Sequence, residues 1–160
     1  MGFILLPLVV LSFFLGALAI ESNNAQDVLP PALELQSAQN GQTFLAYRDA
    51  VAVYQQDNPT FIGTVSNSAL IAQGSQFSSV FLASAGNAIT ATGVSGRVIT
   101  CYATLPMGAI RTALVTSESD ASLGMASGTT WTSAALGATA MPLATAVPHG
   151  AVVSVIQRGN

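Results

Sequence analysis

Lysine is missing from this chain, and charge of either sign is scarce: four arginines and seven acids in 160 residues give a net charge of −3. So few cations cannot replace the counterions of a phosphate backbone, which argues against nucleic-acid binding. Cysteine occurs once, at Cys101, so no intrachain disulfide can form and the core alone must hold the fold. The single histidine, His149, sits in Val-Pro-His-Gly, a turn by composition, and one His with one Cys is a poor basis for a metal site. Low charge does not mean disorder here, because 51% of the residues are hydrophobic.

The most prominent feature that is present is residues 3–20 (FILLPLVVLSFFLGALAI), a run without one charged side chain. As a helix it reaches roughly 27 Å, close to the thickness of a bilayer's hydrocarbon core. We read it as a retained transmembrane anchor. The competing reading is a signal peptide cleaved after Ala19, for which Ala17-Leu18-Ala19 supplies small residues, but no basic residue precedes the run. The following stretch carries Glu21, Asp27 and Glu34 with no cation to retain it inside, so the N-terminus is placed in the cytoplasm and the body outside.

The organisation expected is an anchor at 1–20, a linker and start of a helix at 21–41, and an extracytoplasmic domain at 42–160. Pro30-Pro31 should interrupt a helix leaving the membrane. Phe44, Tyr47, Val51 and Tyr54 recur at three- and four-residue steps and share one face, a candidate core or interaction stripe. Asn58-Pro59 should end that helix, and Gly41 should weaken it enough to delay its proper start to Gln42. Ser66 is placed to cap a short helix over 66–73. Residues 88–94 and 97–105 predict a hairpin across Ser95-Gly96, and 151–156 a terminal strand dense in β-branched residues. Residues 60–65 are a short strand or a connection, 108–115 helix or strand, and 134–147 extended or looped. The fold class is therefore α+β: a transmembrane helix, then an amphipathic helix packed on a small, mainly antiparallel sheet.

No catalytic signature stands out. There is no G-x-S-x-G elbow, and the glycines at 93 and 96 lack a P-loop lysine and dinucleotide spacing. Arg48 and Asp49 read as a solvated helix face, Glu118 and Asp120 as a solvated loop, Trp131 as a packing aromatic. Cys101, between Thr100 and Tyr102, reads as a buried small hydrophobe. No catalytic, cofactor-binding or metal residue is assigned, no cofactor is expected, and the chain reads as a non-enzyme.

Three stretches behind the apolar run, QTFLAYRDAVAVYQQDNP (42–59), GRVITCYATL (96–105) and VPHGAVVSVIQ (147–157), resemble the PilM family of type IVb thin-pilus biogenesis. These are small inner-membrane proteins encoded with conjugative-plasmid pilus genes. The resemblance implies a single-pass component of a pilin transport apparatus or pilus basal body, with other pilus-assembly proteins and the inner membrane as partners. It leaves homo-oligomerisation open and supplies no functional residues. Two other readings stand beside it. One is a pilin or minor pilin, for which Gly2-Phe3 mimics a cleavage junction, although Pro7 stands where pilins usually carry a Glu. The other is a soluble periplasmic module released after Ala19.

Overall fold

Pro31 opens the first helix, a position where its missing N–H is one of the donors that a helix start leaves unpaired anyway. The structure, a computed structural model, describes residues 31–93, 95–118, 120–137 and 139–159. The anchor expected at 1–20, and the polar stretch up to residue 30, lie outside the described residues. Among the described residues no helix is long and apolar enough to cross a membrane.

Helix α1 spans Pro31–Asp57 without a break at Gly41, so its start is not delayed to Gln42. The reason lies in packing. A Cβ on Gly41 would stand 2.6 Å from the Ala109 carbonyl oxygen and 3.0 Å from the Ala113 nitrogen. The glycine costs some helix propensity but lets another helix come up against α1. The C-terminus ends as expected: both the backbone N–H and the side-chain amide of Asn58 donate to the Tyr54 carbonyl, at 3.0 and 2.9 Å.

Two short helices follow, α2 (Asn67–Ala72) and α3 (Ser79–Ser84), each begun by a serine whose hydroxyl accepts a backbone N–H three residues on. Then come strands β1 (Ala85–Thr92) and β2 (Gly96–Ala103), helix α4 (Met107–Thr116), and strands β3 (Leu123–Ser133), β4 (Ala140–Val147) and β5 (Val152–Arg158). The ambiguity over 108–115 resolves as helix, and that over 134–147 as a strand preceded by a turn. The five strands form one sheet in the order β1-β2-β5-β3-β4, with every neighbouring pair antiparallel. The α+β class and antiparallel sheet are as the sequence suggests.

The hairpin turn differs from the expectation. Thr92 pairs with Gly96, so the loop is 93–95 rather than Ser95-Gly96. Gly93 takes the left-handed conformation (φ 63°), and Gly96 is needed because a Cβ there would meet the Thr92 carbonyl oxygen at 2.6 Å. Residues 60–65 contribute a single bridge: Gly63 exchanges hydrogen bonds of 2.9 and 2.8 Å with Ile89 of β1. That pairing covers part of an otherwise open sheet edge.

Strand alternation divides the core in two. On the helix side, Ile99, Cys101 and Ala103 of β2 join Ile89, Val152 and Leu123 beneath Phe44, Tyr47 and Val51 of α1. On the other side, Tyr102, Val153 and Val155 pack with Trp131, Val147 and Met141. Strand β3 bends sharply at Gly128 (φ 73°), pairing with β5 through Leu123–Met125 and with β4 through Gly128–Thr132. Its ends return close enough for the Ala134 N–H to donate to the Leu123 carbonyl at 3.0 Å. This curls the sheet.

Candidate interaction surface

The stripe expected on α1 becomes core. Phe44 and Val51 are fully buried and Tyr47 is 1% exposed, while Tyr54 is half-buried, edge-on to Phe61 at 5.2 Å. Tyr47 also meets Phe77 and Phe81 edge-on, at 5.5 and 5.6 Å between centroids. With its aromatic face enclosed in this way, the stripe is unavailable as a docking surface in the folded domain.

Tyr47 ends in a buried polar group that no local pattern announces. Its hydroxyl accepts from the Asn87 amide nitrogen at 2.8 Å. The same amide nitrogen donates to the Val65 carbonyl at 3.0 Å, and the amide oxygen accepts the Val65 N–H at 2.7 Å. Asn87 thus acts as a substitute strand for Val65, whose side chain is 2% exposed. The group is well satisfied, so its burial is tolerated rather than penalised. Burial raises the Tyr47 pKa above its usual value, with the Asn87 hydrogen bond opposing the shift.

The charged residues also need correction. Arg48 is not on a solvated face: its side chain is 15% exposed and holds Asp49 at 2.9 Å and Asp120 at 3.0 Å. Asp120 in turn accepts the Ser122 N–H at 2.8 Å, fixing the turn that leads into β3. Arg48 and Asp120 therefore join α1 to the start of β3. Glu118 stands in the preceding turn in a left-handed conformation (φ 53°). Cys101 is fully buried, and that burial pushes its thiol up to about 12, so it carries no thiolate at neutral pH. His149 is exposed in its turn, 3.3 Å from the Ser127 hydroxyl. Among the described residues there is no group of three or more His, Cys, Asp or Glu that could hold a metal ion.

What remains is the sheet face without helices. Curling brings β4 over β2 and β5 and leaves an apolar cleft of about 490 Å³. Val98, Trp131, Met141, Leu143 and Val155 line it, and Leu136, 67% exposed, stands at its rim. Ser133 secures that rim: its hydroxyl donates to the Ala121 carbonyl at 2.8 Å and accepts the Leu136 N–H at 3.3 Å. Such a cleft can bury apolar groups of a partner; it offers no nucleophile beside a base. Its signal in the sequence was faint. Trp131 stood out, but nothing placed Met141 and Leu143 opposite it, because the 134–147 stretch is too rich in alanine and threonine to show a period.

The comparisons with known proteins bear on the chain as a whole. The family model described as PilM matches residues 10–155, a range that starts inside the apolar run and ends within β5. No curated protein and no solved structure gives a match.

Proposed function

The chain belongs to the PilM family, and from that premise we propose that it is a membrane-anchored, non-enzymatic component of type IVb pilus biogenesis. The single observation carrying this reading is the family match over 10–155, which spans both the folded body and much of the apolar run. In this reading residues 3–20 cross the inner membrane once and hold the body in the periplasm. There the body contacts other pilus-assembly proteins as part of a transport apparatus or basal-body scaffold.

The physical character of the surface agrees with a binding role. Charged side chains are few, and the cleft beside β4 is apolar. Apolar surface of this kind gains free energy when a partner removes it from water, on the order of 25 cal/mol per Å². The test is complementation of a strain lacking this gene. Full-length protein should restore pili and stay with membranes through carbonate extraction. The body alone, exported behind a cleavable signal, should fold and fail to restore them. Full complementation by the freely soluble body would overturn the anchored scaffold, and mature protein beginning at Phe3 would point to a pilin instead.

A further inference from the structure

We propose that the end of the sheet beside the α1 C-terminus is a binding site for a single oxyanion group, a carboxylate or a phosphate, held by Arg97 and Arg158. Two of the chain's four arginines meet here: Arg97 of β2 and Arg158 of β5 are direct partners in the antiparallel register and so project from the same face. Like charges directly opposed across a strand pair are destabilising. Elsewhere the chain handles a half-buried cation differently, giving Arg48 two carboxylates. Among the described residues no carboxylate pairs with Arg97 or Arg158.

Between them lies a polar pocket of about 160 Å³, lined also by Gln55, Gln56, Ser95 and Gly159. That is several times the ~30 Å³ share of one water, enough for one anionic group and too little for a folded element. Gln55 is 5% exposed, a buried amide placed at the pocket wall. The Arg97 guanidinium is pinned from behind, donating to the Gly96 carbonyl at 2.9 Å and more distantly to those of Ser95 and Thr60. Its Nε is buried with no hydrogen-bond partner among the described residues. An anion between the two guanidiniums removes their repulsion and gains charge-assisted hydrogen bonds. The chain's net charge of −3 opposes anions at long range, but its effect is screened beyond ~8 Å at physiological salt. At contact distance the two guanidinium charges outweigh the roughly half negative charge of the α1 C-terminus.

The experiment is a titration of inorganic phosphate and, separately, acetate into the full chain at constant ionic strength, chloride balancing each addition. Backbone amide resonances of Gln55, Gln56 and Ser95 are followed. Saturable shifts are expected in the low-millimolar range, weakened about tenfold or more by Arg158→Gln and by less in Arg158→Lys, which keeps the charge without the fork. Saturation by phosphate alone assigns a phosphate-bearing ligand, saturation by acetate alone a carboxylate, and saturation by both a site that takes either group. Shifts that are linear in both anions overturn the proposal. So does saturation that is unchanged in a folded Arg158→Gln protein or, should that variant unfold, in Arg158→Lys.

Discussion

At the scale of single residues, Asn87 and Cys101 show two ways of enclosing a polar group, full partnering and neutrality. Cys101 shows the second case. It faces Asn87 of β1 and Ser154 of β5 in the register, yet it is fully enclosed, and burial raises its pKa from 9.0 to about 12. The sign follows directly. Between these values the unfolded chain has released the thiol proton and the folded chain retains it, so stability is complete below about 9 and declines as pH rises toward about 12. Thermal melts at neutral and strongly alkaline pH should show a larger loss for wild type than for Cys101→Ala. An equal loss would mean that the thiol is not what titrates. Tyr47, also raised chiefly by burial, acts in the same direction in both proteins, and the part of its shift that comes from Cys101 adds to the wild-type loss. At neutral pH, Cys101→Ser should cost about 1–3 kcal/mol by enclosing a hydroxyl that needs a partner. A non-reducing gel should show no dimer that depends on Cys101.

At the scale of elements, Gly41 decides how α1 and α4 fit. Replacing it with alanine gains up to ~1 kcal/mol of helix propensity. Against that, the new Cβ would stand 2.6 Å from a backbone oxygen, which cannot swing aside as a side-chain tip can. Overpacking of this sort costs about 1–3 kcal/mol, so Gly41→Ala should lower the melting temperature by several degrees. A rise would mean that the two helices are not in contact. The same residue shows where sequence reasoning stops. Local propensity read Gly41 as a weak point, because the helix that requires it comes some 70 positions later. What was legible was what short spacing encodes: the Phe44–Tyr54 stripe, the Ser66 cap, the Asn58 stop and the dense β-branched run of β5. The hidden part depends on distant neighbours. Arg48 looked solvated until Asp120 was brought to it, and the cleft appeared only once the bend at Gly128 had set Met141 and Leu143 near Trp131.

At the scale of the whole molecule, position along the chain and position in the sheet run opposite to each other. Strand β5, last of the five in sequence, lies between β2 and β3 in the middle of the sheet. Before it is in place, the β1–β2 hairpin and the β3–β4 pair share no strand pairing, and the core beneath α1 lacks Val152 while the opposite core lacks Val153. A chain cut just before Val152 should therefore lose the whole body rather than one strand, with amides throughout β1 and β2 exchanging freely with solvent. Protection surviving in β1–β2 would show that the hairpin stands alone. For a ribosome making this protein, the order of strands means that the two halves of the sheet are joined only once β5 has emerged. Any chain stopped short of β5 carries two open sheet edges, those of β2 and β3, each a template on which a strand from another molecule can pair.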